Sequence, residues 1–173
     1  QTYEIKDEDL GLIATSEVTT AGYHADETFA ANDLPKKYIA LSHCFRKEAG
    51  AYGKYSRGLY RTHQFTKLEM FVYCMPEDSL KFHEEILEIE KQVVEELGIP
   101  YRVLAISTGD LGAMAAKKYD VEAWMPGRGD FGEITSASNV TDYQARNLNI
   151  KYKGSDGAIG YVHMLNGTAA ALS

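Results

Sequence analysis

Arg46, Glu48, Arg61, His63, Phe65, Lys67 and Glu69 fall within one short stretch of the chain. Read as a strand from Tyr60 to Tyr73, its second half puts Arg61, His63, Phe65, Lys67 and Glu69 on one face, because side chains alternate. A row of cation, imidazole, aromatic, cation and acid is unlike a packed core. An ordinary wet sheet face would explain its polarity, but not the groups arriving beside it. Arg46 and Glu48 are also two apart on the preceding strand, and the segment Ala49 to Gly58 holds three glycines, which suits a long hairpin. Folded back, the two strands offer cations for phosphates, an aromatic ring for a base and acids for amines. Arginine suits phosphate because its planar fork donates two parallel hydrogen bonds.

Two further groups carry the same kind of chemistry. Thr15 and Glu17 are two apart and would share a face of a strand over Leu12 to Val18. Glu133 follows a glycine-rich loop and precedes Thr135, Ser136 and Ser138. A carboxylate with nearby hydroxyls suits Mg²⁺, which keeps several waters and takes few protein ligands. Taken singly, each of these reads as a polar strand end.

The elements that must hold these groups are mostly strands. The pattern predicts Leu12 to Val18, Tyr38 to Phe45, Tyr60 to Tyr73, Tyr101 to Ser107, Glu133 to Ser138, Leu148 to Tyr152 and Tyr161 to Leu165, with glycine-rich joints at Gly50 to Gly58, Gly127 to Gly132 and Gly154 to Gly160. One helix is clear over Ser79 to Leu97. Asp78 or Ser79 can cap it, and Phe82, Ile86, Ile89, Val93 and Leu97 form its apolar stripe. Gly98 and Pro100 end it, and the rest of its acidic surface reads as solvated. A second helix is expected over Leu111 to Lys118. Strands without regular strand–helix alternation predict an α+β fold around a largely antiparallel sheet, flanked by helices, in a single domain over 1–173.

At 45% hydrophobic and 25% charged, the 173 residues suit one globular core. No apolar run approaches a membrane span. Cys44 and Cys74 form no CxxC pair and read as reduced thiols, hence cytoplasm, with a mitochondrial matrix as the variant. A net charge of −7 argues against a protein that coats DNA or RNA, so RNA affinity would need a local patch or another domain. His24, His43, His83 and His163 have no metal or acid–base pairing, and Trp124 reads as core. The first residues, Gln1 to Glu4, lack both an initiator methionine and the layout of a secretion signal, and read as those of an excised or processed piece.

The opening Phe45-Arg46-Lys47-Glu48-Ala49-Gly50 and the run Arg57 to Glu69 (RGLxRxHQFxKxE) resemble the second signature motif of class II aminoacyl-tRNA synthetases, in their seryl form. Thr15-Ser16-Glu17 is similar to the TxE motif of the serine pocket. Glu133 to Asn139, with Asp142 to Arg146, resembles the block EISSCSN…DxQAR, and Thr108 to Gly112 and Lys117 to Asp120 also match. Thr135, Ala137 and Lys151 depart from the commonest serine, cysteine and arginine. The resemblance covers nearly the whole chain and is closest to bacterial and organellar forms.

It implies a serine–tRNA ligase activity with ATP and Mg²⁺: L-serine is adenylated, then transferred to the 3′ end of tRNA(Ser). Arg46 would grip the α-phosphate and the adenylate, Arg61 the terminal phosphates. Glu48 would accept from the adenine amino group and Phe65 would stack on the ring. Glu133 and Ser136 would hold Mg²⁺ and phosphate. Glu17 and Glu69 would bind the serine ammonium with Thr15 nearby, and Asn166 and Thr168 would line the amino-acid pocket. It also implies a homodimer, and parts that this sequence lacks: an N-terminal coiled-coil arm, the first signature motif and the arginine of the third motif, which would follow Ser173. On that ground the 173 residues alone are expected to be poorly active. Two alternatives stand beside it: a related ligase that loads a carrier protein, and a non-catalytic paralogue. Charging assays separate the first; eroded ATP contacts would mark the second.

Overall fold

The computed structural model describes residues 2–48 and 60–172. The hairpin expected over Ala49 to Gly58 lies outside these residues. In chain order the elements are α1 (Glu17–Gly22), β1 (Thr28–Ala30), β2 (Lys36–Phe45), β3 (Gln64–Cys74), α2 (Ser79–Glu96), β4 (Tyr101–Ala105), β5 (Lys117–Met125), β6 (Asp130–Asn139), α3 (Tyr143–Leu148), β7 (Lys151–Lys153), β8 (Ile159–Tyr161) and β9 (His163–Leu172).

The main sheet runs β2-β3-β9-β6-β5-β4, and all its pairings are antiparallel. This is the α+β arrangement expected from the sequence. A small sheet, β1-β7-β8, sits apart from it. Alternation along β3 divides the core. Met70, Val72 and Cys74 face α2 and pack with Phe82, Ile86, Leu165 and Ala169. Phe71 and Tyr73 face the other way, into a cluster with Phe29, Ile150, Val162 and Met164. Phe65, Lys67 and Glu69 continue this second face beyond the cluster, where the sheet opens.

The helix α2 forms where expected, and Gly98, at φ +65°, ends it. Its start carries no side-chain cap bond from Asp78. Its buried face is turned relative to the predicted stripe. Phe82, His83, Ile86, Leu87, Glu90 and Val94 are buried, whereas Ile89 is 39% and Leu97 66% exposed. A polar residue, Glu90, occupies the centre of the true stripe. Reading apolarity alone therefore moved the stripe sideways onto Ile89 and Val93, and left Glu90 on a solvated face that it does not occupy. Burying Phe82 and Ile86 each contributes about 1.5–3 kcal/mol.

Several other expectations are corrected. Leu111 to Lys118 is no helix: turns lead into β5, where Lys117 and Lys118 pair with Asn139 and Ser138 of β6. The segment from Leu12 is loop until α1 begins at Glu17. Leu148 ends α3 rather than opening a strand, because Asn149 adopts a left-handed φ of 55°. The strand from Tyr60 starts only at Gln64. Trp124 is 39% exposed and is not core. Cys44 and Cys74 are free and buried as expected, and burial pushes the Cys74 thiol up to about 12. His24 serves packing, between Glu27 and Tyr38, both at 2.6 Å.

Candidate functional site

Two register irregularities shape the open face of the sheet. In β6, Glu133 pairs with Glu122 and Thr135 with Val121, so Ile134 is an extra residue. Ile134 packs in the cluster under α2 and Thr135 bonds Glu90 of that helix, while both also border the cleft. Simple alternation would separate Glu133 from Ser136. The bulge restores both, with Ser138, to one cleft. In β9, Leu68 pairs with Ala170 and Glu69 with Thr168, leaving Ala169 extra. Asn166, Thr168 and Ala171 consequently line the same cleft.

The cleft measures about 330 Å³. Glu17, Arg46, Arg61, Phe65, Glu69, Glu133, Ser136, Asn166 and Thr168, all singled out from the sequence, line it. Arg46 lies just past β2, and its N–H donates to the His63 carbonyl at 3.0 Å, which extends the β2–β3 ladder by one step. This sets its guanidinium 5.3 Å from the centre of the Phe65 ring. Its Nε donates to the Ala14 carbonyl at 3.2 Å. Arg61 Nη1 donates to Glu48 Oε2 at 3.0 Å.

Three placements differ from the strand reading. Glu48 has a φ of 47° and leaves the strand, so it does not share a face with Arg46. It meets Arg61 but is not among the residues lining the cleft. Thr15 does not line the cleft either. Its hydroxyl accepts from the Glu17 backbone N–H at 3.2 Å, which steadies the turn that starts α1. Glu17 thereby reaches the cleft from a helix, not from a strand. His63, expected in the row, is bonded instead to the hydroxyl of Tyr3.

The acids are held in distinct ways. Glu69 lies 2.7 Å from Lys67 Nζ and accepts from Thr168 Oγ1 at 3.3 Å. Glu17 accepts from Gln144 Nε2 at 2.7 Å. Burial raises the Glu17 pKa, and the Glu69 charge adds to this. The Gln144 hydrogen bond, Lys67 and Arg46 pull against it. Burial and then Asp120 raise the Glu133 pKa, while Lys118, Arg61 and Arg46 oppose them. Arg46 thus acts on both acid groups. Tyr60 donates its hydroxyl to the Glu133 carbonyl at 2.7 Å and closes that end.

The site residues that sequence reasoning missed are Tyr60 and Gln144. Lys67 stood in the row without a role. Gln144 stood in a quoted motif, but only the packing of α3 against β9 brings it to Glu17. Nothing local in the sequence signals that approach.

The family model described as the class II tRNA synthetase core domain (G, H, P, S and T) matches residues 2–173. The chain belongs to this family. It is 62% identical over its whole length to a serine–tRNA ligase of Dictyoglomus thermophilum, and 59% identical over 173 residues to one from Rubrobacter xylanophilus. It spans 41% of the length of each. Its class II core also resembles solved structures. One is a seryl-tRNA synthetase of Pyrococcus horikoshii complexed with ATP, with TM-score 0.93 and 54% identity over 98% of this chain and 38% of that one. Another is a cytoplasmic serine–tRNA ligase of Naegleria fowleri in complex with AMP, with TM-score 0.92 and 44% identity over 100% and 42% of the two chains. Among the described residues, no helix is long and apolar enough to cross a membrane.

Proposed function

We propose that this chain carries the site at which a serine–tRNA ligase binds ATP and L-serine and joins them as seryl-adenylate. One observation supports this above others. Arg46 and Phe65 line a single cleft with Arg61 and Glu133 and with Glu17, Glu69 and Thr168, and the Arg46 charge acts on both Glu133 and Glu17. The complexes of similar proteins with ATP and AMP favour the same reading.

Phe65 offers a ring face to adenine. Arg46 takes the α-phosphate and Arg61 the terminal phosphates, exchanging its bond to Glu48 for phosphate oxygens. Glu48 then accepts from the adenine amino group. Glu17 and Glu69 hold the serine ammonium, and Asn166 and Thr168 meet the serine side chain. A site that hydrogen-bonds the substrate hydroxyl rejects the analogue lacking it by roughly 10⁴-fold, so alanine is excluded.

The serine carboxylate attacks the α-phosphorus and pyrophosphate leaves. In the second step a 3′-terminal ribose hydroxyl of tRNA(Ser) attacks the acyl carbonyl and AMP departs. Positioning and charge stabilisation carry the first step, which is why the cleft needs arginines and acids rather than a nucleophile. The donor set suits Mg²⁺. The Glu133 carboxylate, disfavoured as an anion by burial and then by Asp120, and the Ser136 hydroxyl are hard oxygen donors. Bound there, the ion would neutralise phosphate charge.

The same reading makes the full-length protein a cytoplasmic homodimer, with tRNA contacts outside the described cleft and a diminished activity for the 173 residues alone. Serine-dependent exchange of pyrophosphate into ATP by the full-length gene product tests it. Exchange should require serine, and Arg46→Ala should reduce it at least 100-fold. Exchange without serine, or none, would end the reading.

A further inference from the structure

We propose that Glu90, which does not itself line the cleft, is a positioning residue that sets the serine wall of the cleft from behind the sheet. The side chain is wholly buried on the α2 face of β6 and β9. Its Oε2 accepts from Thr135 Oγ1 at 3.0 Å. Thr135 lies directly before Ser136 and next to the bulge that returns Glu133 to the cleft. Its Oε1 abuts Gly167 so closely that a Cβ there would stand 2.7 Å away. Gly167 separates Asn166 from Thr168, the two cleft residues contributed by this part of β9. One carboxyl group therefore touches both strands at positions whose neighbours face the cleft.

The contact is specific in a way that an apolar residue would not be. An enclosed hydroxyl without a partner is costly, so the Thr135 rotamer is fixed by its bond to Glu90. That bond tethers the β6 bulge, whose Ile134 and Thr135 also border the cleft, to the helix. On β9, Thr168 carries the effect to Glu69 through its 3.3 Å hydrogen bond. The charged groups facing Glu90 across the sheet are Glu69 on β3, itself paired with Lys67, and Asp120 on β5, paired with Lys118. Burial first, and then both carboxylates, disfavour a charged Glu90 against the hydrogen bonds from Thr135 and Thr168, and its pKa is pushed up to about 8. The group consequently stands mainly as a neutral acid at pH 7, and glutamine can replace it.

Because serine binding is itself the reading proposed above, the test has two arms in the full-length gene product. In the kinetic arm, Glu90→Ala should raise the KM for serine about tenfold and leave the KM for ATP within twofold. Glu90→Gln should stay within twofold of wild type in both. Thr135→Val should reproduce the alanine effect even if Glu90→Ala does not fold, and Thr135→Ser should relieve it. Unchanged serine KM in Glu90→Ala or Thr135→Val, or an equal rise in both KM values, would overturn the role. In the second arm, backbone hydrogen exchange at Asn166 to Thr168 is compared in Glu90→Gln and Thr135→Val. It should accelerate in the valine variant alone. Should the wild type show no serine-dependent exchange of pyrophosphate, the functional reading fails, and this arm still decides whether Glu90 holds the wall: equal protection in both variants would reject it.

Discussion

Lys67 Nζ lies 2.7 Å from Glu69 Oε2, two residues along one strand, with the side chains only 9% and 3% exposed. Enclosed charges of opposite sign depend on each other. Removing one partner leaves the other desolvated, at a cost of about 3–5 kcal/mol. Lys67→Met should therefore destabilise the protein by about that amount in urea denaturation. Lys67→Met combined with Glu69→Gln should cost clearly less than the sum of the single changes, because neither charge is then stranded. Additive losses would mean that the two side chains are screened from one another.

Gln144 acts on the cleft through Glu17. Its Nε2 donates to the Glu17 carboxylate and lowers a pKa that burial and Glu69 hold up. Binding of an ammonium group needs Glu17 as an anion, so affinity is lost as pH falls through that pKa. Gln144→Leu removes a stabiliser of the anion and should move this loss to higher pH. The serine KM should rise about tenfold at pH 7, the equivalent of about 1.5 kcal/mol, the low end for a hydrogen bond to a charged group. The KM for ATP should not follow. The pH profile of kcat/KM for serine is the measurement, and an unshifted acid limb would count against the link.

What was legible in the sequence follows physical range. Phe65, Lys67 and Glu69 were placed on one face correctly because strand alternation is local. Arg46 reached them because paired strands continue their ladder, as the 3.0 Å bond to His63 shows. Glu133 and Ser136 share the cleft only through a bulge, and a bulge depends on which strand lies alongside. The same holds for Thr168 and Ala171 in β9. Leu12 to Val18 is rich in β-branched and apolar types, which suggests a strand for Thr15 and Glu17, but among the described residues no neighbouring strand takes that segment up as a ladder. Glu90 was misread for a related reason. An acid on a helix looks solvated until its partners, Thr135 and Gly167, arrive from far along the chain.

Gly167 is needed for close approach, not for its backbone angles. A Cβ at this position would stand 2.3 Å from Ile86 Cγ2 and 2.7 Å from Glu90 Oε1. The helix would have to lift from β9, or Glu90 would have to turn. Gly167→Ala should cost about 1–3 kcal/mol by overpacking. Adding Ile86→Ala empties the more crowded side, so the double variant should lose less than the two single losses combined. Denaturation midpoints of the four proteins measure the coupling. Strict additivity would mean that α2 yields freely at this point.

Glu90 gives the protein a definite dependence of stability on pH. Its folded-state pKa of about 8 lies above the ordinary 4.5 because burial disfavours the charge. The folded state therefore binds this proton more tightly than the unfolded chain does. The resulting stability is fully present below about pH 4.5, declines as pH rises, and is gone once pH has passed about 8. Between those limits the slope from this one group approaches about 1.4 kcal/mol per pH unit. Glu17 and Glu133, also raised, tilt the curve the same way, so the wild type alone cannot isolate the effect. Glu90→Gln can, since an amide keeps an acceptor for Thr135 and does not titrate. Urea denaturation from pH 5 to pH 9 should show the wild type losing stability relative to Glu90→Gln up to about pH 8, then running parallel to it. Curves that stay parallel over the whole range would mean that Glu90 ionises as an ordinary, hydrated carboxylate.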